Sequence, residues 1–243
     1  MTFRSSTHPL MSQLRNDIDA FMRTNSDLLF NECELQIRLT NHLDDSGHYD
    51  KVYVEYAVPI KELHQRNPAL LNGASFPWKS NLYVDIVVEK DGKFAAVELK
   101  YATYSVNHTI TRFGQPLLSG SLIIKNQAAI DIKMYDYWKD VRRIEVLRQY
   151  YPTLVGGIAL LVTNTATFWN GPRAGVNYAA FSTRQGSTVG PGVLSWGQKT
   201  APKLVSDHPD FMLQNGYTCN WGNTAIPVLT LAGVPFRYLL TVI

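Results

Sequence analysis

The chain has 243 residues, 45% of them hydrophobic and 18% charged, with a formal net charge of +3. That length and balance suit one sizeable folded core and exclude disorder throughout. The charge is too small to demand a polyanionic partner, two cysteines cannot build a disulfide scaffold or a structural zinc site, and no apolar run approaches the ~20 residues of a bilayer span. The expected protein is therefore soluble, with two reduced thiols, Cys33 and Cys219, in the cytoplasm.

Leu10, Leu14, Ile18, Phe21 and Met22 recur near helical spacing, and Asn25-Ser26-Asp27 interrupts them. Leu28, Leu29, Cys33, Leu35, Leu39 and Leu43 predict a second amphipathic helix, ended by Asp44-Asp45-Ser46-Gly47. The Val- and Tyr-rich stretch Lys51–Ile60 reads as a strand, and residues 61–80 as irregular. Leu82–Glu89 and Lys93–Tyr101 read as two strands joined by a tight turn at Lys90-Asp91-Gly92. Residues 102–121 read as a loop. Asn126–Tyr150 is the clearest helix, with Ile130, Met134, Tyr137, Trp138, Val141, Ile144 and Leu147 in one apolar stripe. Leu154–Val162 reads as a buried strand. From 164 to 227 periodicity is poor, which predicts an irregular insertion or a set of short strands. Phe236–Ile243 is a final strand. The order implies an α/β fold in a single domain, 1–243.

Chemistry concentrates in the two strands around the Lys90-Asp91-Gly92 turn. Asp85 stands on the first; Glu98-Leu99-Lys100 stands on the second. Alternation along a strand puts Glu98 and Lys100 on one face, with Leu99 on the other. The turn brings 85 and 98 nearly opposite in register, close enough for two carboxylates to share an ion. Oxygen-only donors suit a hard cation such as Mg²⁺, with Mn²⁺ as a substitute. Such an ion polarises a phosphodiester and lowers the pKa of a water, while a lysine orients that water and balances charge.

An acid followed across a hairpin by acid-x-lysine resembles the PD-(D/E)xK nuclease superfamily, the restriction-endonuclease-like fold. Val84 stands where the proline before the first acid is usually written. The resemblance covers about residues 25–163 plus the final strand 236–243, and leaves 164–235 as an insertion. It implies a mixed central sheet flanked by helices and a metal-dependent endonuclease that hydrolyses phosphodiester bonds, with DNA as the expected partner and a homodimer as a plausible assembly. It implies Asp85 and Glu98 as metal ligands, the Leu99 carbonyl as a further ligand, and Lys100 as the group that positions the attacking water. It also implies a glutamate from the first core helix, Glu32 before Glu34, with Gln36 four residues on along the same face.

Each residue also has a plain structural reading. Asp85 would then lie on the exposed face of an edge strand, Glu98 and Lys100 on an outward face with cross-strand pairing, and Glu32 and Glu34 would be solvated helix residues. The basic set Lys133, Lys139, Arg142, Arg143 and Arg148 would be a solvated face paired with Asp136, Asp140 and Glu145, rather than a phosphate-tracking one. His108, Tyr101, Tyr104 and Arg112 are weak candidates for substrate contact. Trp169, Trp196 and Trp221 are expected to be buried more than to stack bases. The rival functions are a catalytically inactive nuclease-fold protein that binds nucleic acid or a protein partner, and an unrelated α/β domain.

Overall fold

The structure, a computed structural model, describes residues 8–59, 61–62, 65, 82–107, 111–116, 122–126, 129–228, 230 and 232–243. Helix α1 (Pro9–Thr24) and helix α2 (Glu32–Asp45) precede strand β1 (Lys51–Val58). Strands β2 (Leu82–Lys90) and β3 (Lys93–Ala102) form the expected hairpin. Helix α3 (Ile130–Tyr150), strand β4 (Leu154–Thr163) and, at the end of the chain, strands β5 (Trp221–Asn223) and β6 (Arg237–Val242) complete the main frame.

The six strands form one mixed sheet in the order β1-β2-β3-β4-β6-β5. Only β3 and β4 run parallel; the other neighbours are antiparallel. Helix α3 is the crossover between that parallel pair. Because β4 is buried on both faces, it reads as a continuous apolar run. Its Ile158, Leu160 and Val162 face α1 and α2, and its Ala159 and Leu161 face α3. The fold is α/β with helices on both faces of the sheet. Among the described residues, no helix is long and apolar enough to cross a membrane.

Helix α2 starts four residues later than Leu28 because the Asn31 side chain caps it. Asn31 Oδ1 accepts the Glu34 N–H at 2.8 Å, and Glu34 Oε2 accepts the Phe30 N–H at 3.0 Å. Helix α3 starts at Ile130 because Ala129 takes φ +71°, which breaks helical geometry. The expected loop 102–121 instead carries short ladders: Val106–Asn107 pairs with Leu122–Ile124, and Thr111–Arg112 with Gln115–Pro116.

The basic face expected of α3 keeps its ion pairs at helical spacing, Arg142–Glu145 and Arg143–Asp140, and Arg148 is exposed, but much of the face is not solvated. Asp140, Arg142 and Glu145 are all at most 4% exposed. Residues 167–219 of the expected insertion explain this. They form short ladders, Gly192–Leu194 with Phe211–Leu213 and Thr188–Val189 with Tyr217–Thr218, and fold over the outer side of α3. The Trp138 indole donates to the Phe181 carbonyl at 3.0 Å, and the Tyr135 hydroxyl to the Pro209 carbonyl at 2.8 Å. Helix α3 is thus enclosed between sheet and cover. Trp169 and Trp196 are buried in that cover, as expected; Trp221 is half-buried and lies in β5.

Close approach of α3 to the sheet depends on Gly157. A Cβ there would meet the Ala96 carbonyl oxygen at 2.7 Å and Ile144 Cγ2 at 2.7 Å. Gly157→Ala is expected to cost about 1–3 kcal/mol by overpacking, seen as a lower urea midpoint with an unchanged slope.

Candidate active site

The site forms where β2 and β3 part. Their ladder runs from Lys90–Lys93 to Ile86–Val97. Beyond it, the edge of β3 that faced β2 presents backbone N–H groups, which need acceptors. Carboxylates supply them. Asp85 Oδ2 accepts the Leu99 N–H at 2.6 Å, and Glu32 Oε2 accepts the Tyr101 N–H at 2.8 Å. Strand and helix acids therefore converge on the same edge because each replaces a missing strand partner.

The strand itself is irregular at this point. Leu82, Val84 and Val87 lie in the core on the α3 side, whereas Ile86 and Val88 lie in the core facing α1 and α2. The odd step from 84 to 87 means that alternation slips by one residue at Asp85. The β1–β2 ladder pairs Val54 with Ile86 and Tyr56 with Val84 but skips Glu55 with Asp85. Gln36 of α2 fills the gap: its Nε2 donates to the Asp85 carbonyl at 2.8 Å and to Glu55 Oε1 at 2.9 Å.

Glu98 and Lys100 point from β3 toward α3, as alternation requires. There they meet two residues that sequence reasoning assigned to solvent. Arg143 donates to Glu98 Oε1 at 2.9 Å and lies 3.5 Å from Asp140 Oδ1. Lys100 Nζ lies 2.6 Å from Asp140 Oδ2 and donates to the Leu99 carbonyl at 3.0 Å. The missed signal was the spacing of Asp136, Asp140 and Arg143 on one face of α3, opposite a strand whose glutamate needed a counter-charge.

The cluster is desolvated and rich in acids. Burial pushes the Asp85 carboxyl up to about 6; the Leu99 N–H and Lys100 oppose the shift, and Asp140 and Glu32 add to it. Burial also pushes Glu98 well above the carboxylate range, with Arg143 opposing and Asp140 and Asp85 reinforcing. Burial disfavours the Lys100 charge, but Asp140, Glu32 and Glu98 outweigh it and raise its pKa. Lys100 therefore stays an ammonium near neutral pH, which suits orienting and charge-balancing and does not suit a base.

Asp85 has a stability consequence. Its folded-state pKa exceeds the ordinary value of 3.8, so the folded state binds more protons between pH 3.8 and 6 and loses stability as pH rises through that window. Asp85→Asn, which keeps an acceptor for Leu99, is expected to raise stability at pH 7.5 by up to about 3 kcal/mol. The gain should vanish below pH 4, as followed by urea melts at several pH values.

The donor chemistry fits a hard divalent cation of the kind held by one or two carboxylates and water. Asp85 and Glu98 would be that pair, and Asp85 adds to the negative field around Glu98. Each already uses one oxygen, on Leu99 and Arg143 respectively. The Leu99 carbonyl accepts from Lys100, and Glu32 is tied to Tyr101. Among the described residues, no group of three or more His, Cys, Asp or Glu side chains is arranged to hold a metal ion. The acids thus gather at one edge without closing into a three-carboxylate cage.

Of the weaker candidates, Tyr101 is buried among residues facing α1 and α2, with its hydroxyl on the Leu29 carbonyl. Tyr104 keeps an exposed ring while its backbone is held by Asn164, and Arg112 lies 4.4 Å over the Phe30 ring. Glu34 accepts from Arg38 at 3.0 Å as well as capping α2. His108 lies outside the described residues. No protein-family model, curated protein or solved structure matches the chain.

Proposed function

We propose that the chain is a metal-dependent nuclease of the PD-(D/E)xK type that hydrolyses phosphodiester bonds, with DNA as its substrate. The observation that supports this reading best is the grouping of Asp85, Glu98 and Lys100 where two antiparallel strands part, with Glu32 reaching the same strand edge from α2. In this reading Asp85 and Glu98 hold Mg²⁺, with the Leu99 carbonyl and Glu32 beside them. The cation supplies polarisation of the scissile phosphate and a lowered pKa for the attacking water. Lys100, kept charged and aimed by Asp140, orients that water and offsets the charge that develops on phosphate. Arg143 fixes the Glu98 carboxylate from above.

A specific observation favours a second reading. The ion pairs Lys100–Asp140 and Glu98–Arg143 already balance part of the cluster's charge. A catalytically inactive protein of this fold that binds nucleic acid or a protein partner would have such pairs and no need of metal. Two free thiols, one of them exposed, suit the cytoplasm for either. Cutting both strands of a duplex would favour a homodimer, which sedimentation measures.

Plasmid DNA incubated with the protein tests both readings. Cleavage that needs Mg²⁺ and stops with chelator is expected, and Asp85→Ala and Lys100→Ala should each slow it by at least about 10²-fold. Undiminished cutting by both variants refutes the assignment. No cutting by the wild type, with no calorimetric heat of Mg²⁺ binding but retained DNA affinity, supports the inactive reading.

A further inference from the structure

Asp85 has its role in the cluster only because the chain bends around it. On either side of residue 85 the β1–β2 ladder keeps one register, from Val54–Ile86 to Tyr56–Val84, so no residue has been inserted or lost between the strands. The pair at the centre, Glu55 and Asp85, is nevertheless skipped. Glu55 stands at φ +49°, a region that non-glycine residues rarely adopt. The Asp85 carbonyl has turned away from β1 and is bound by the Gln36 amide, and the same amide nitrogen is held by Glu55 Oε1. With its carbonyl so fixed, the Asp85 side chain lies on the β3 side, where Oδ2 meets the Leu99 N–H. In a regular strand Asp85 would continue the alternation of its neighbours and point into one of the two apolar cores.

We propose that Gln36 and Glu55 are positioning residues for Asp85. The Gln36 amide, oriented by Glu55, ties the Asp85 carbonyl at the break in the ladder and so aims its carboxylate at the open edge of β3. Strain at Glu55 is retained because it serves this placement. The consequence for metal binding rests on the nuclease reading; the placement itself does not.

The test uses the full-length protein and three variants, Gln36→Leu, Glu55→Gly and Glu55→Gln. Three quantities are measured: hydrogen exchange of the Leu99 amide by NMR, the calorimetric affinity for Mg²⁺ alone, and Tm. Gln36→Leu removes the amide donor. It is expected to speed Leu99 exchange by about tenfold or more and to weaken Mg²⁺ by about tenfold, each the equivalent of one hydrogen bond. Glu55→Gln keeps an accepting oxygen and should behave as wild type. Glu55→Gly is the decisive variant. Glycine accepts the positive φ without strain, so Tm should stay level or rise, while Leu99 protection and Mg²⁺ affinity fall as in Gln36→Leu. A role for Glu55 that does not involve Asp85 predicts the same level or raised Tm with both site properties intact, so Leu99 exchange and Mg²⁺ affinity decide between the two. Unchanged Leu99 exchange in Gln36→Leu and Glu55→Gly overturns the proposal. A wild type that binds no Mg²⁺, with Leu99 exchange still accelerated in both variants, upholds the positioning and sinks the metal reading instead.

Discussion

Glu98→Gln protein is expected to cleave DNA at least about 10³-fold more slowly than wild type in Mg²⁺, with Lys100→Ala losing about 10²–10³-fold. Glutamine at 98 retains an oxygen for Arg143, so the contact at 2.9 Å that fixes the side chain survives. What disappears is the negative charge that would hold the cation. Folding should improve modestly, because burial already disfavours that charge in the folded protein. A loss of activity joined to an unchanged or raised Tm therefore separates chemistry from folding. Lys100→Ala differs in this respect. It takes the ammonium at 2.6 Å from Asp140, 4% exposed at its side chain, and leaves Arg143 at 3.5 Å, so the cost should lie below the about 3–5 kcal/mol of a fully unpaired buried charge. The companion variant Lys100→Ala/Asp140→Ala removes both charges and should recover much of that stability while staying inactive. Activity that returned with stability would show that Lys100 only supports the fold. Single-turnover rates on a short duplex, with Tm measured on the same preparations, decide the matter.

Glu145→Ala is expected to be among the most damaging single changes in the chain, at about 3–5 kcal/mol, or a fall in Tm of about 10 °C or more. The Glu145 carboxylate is buried in α3 and accepts from the Gln214 and Asn215 backbone N–H groups at 3.0 Å, the Asn215 side chain at 3.2 Å and the Tyr217 hydroxyl at 2.8 Å. It also lies 3.3 Å from Arg142, whose side chain is 2% exposed. Truncation would leave several donors buried with their acceptor gone and would remove one partner of Arg142, which is the costly case for polar burial. Because these donors belong to residues 214–217, the cover over α3 should loosen first. Tryptophan fluorescence should report this through Trp196 and Trp138, which lie in the cover and beneath it. Glu145→Gln, which keeps one acceptor, should cost less than half as much. Equal stability of Glu145→Ala and wild type would mean that the cover does not depend on this carboxylate.

The main frame was legible because its signals are local. Helical spacing in α1, alternation and a glycine turn in the β2–β3 hairpin, and an unbroken apolar run in β4 each follow from side chains within a few residues of one another. That Asp85 lies beside the Glu98–Lys100 strand was legible for the same reason, since a tight turn sets register. The ends of α2 and α3 were less so. They depend on a cap at Asn31 and a left-handed Ala129, and the second has no sequence signature.

The environment of the charges was not legible. Helix α3 carries Asp140, Arg142, Arg143 and Glu145 in a pattern that alone suits a solvated helix with ion pairs one turn apart. Only packing decides otherwise: residues 70 positions apart, such as Asn215 and Glu145, meet across the cover, and Arg143 reaches Glu98 across 45. Short-range periodicity carries no record of such contacts. Glu55 is a similar case, since its backbone strain comes from a glutamine on α2 and a skipped pair in the sheet.

What the amino-acid order determined unaided was the alternation of helices and strands and the placing of two acids and a lysine across one turn, because both rest on fixed backbone periods of 3.6 and 2 residues. What tertiary structure alone decided was which of those charges lie away from water, which cations and anions face them, and how Asp85 is turned toward β3. Desolvation and Coulomb energies depend on distance in space, and separation along the chain does not specify that distance.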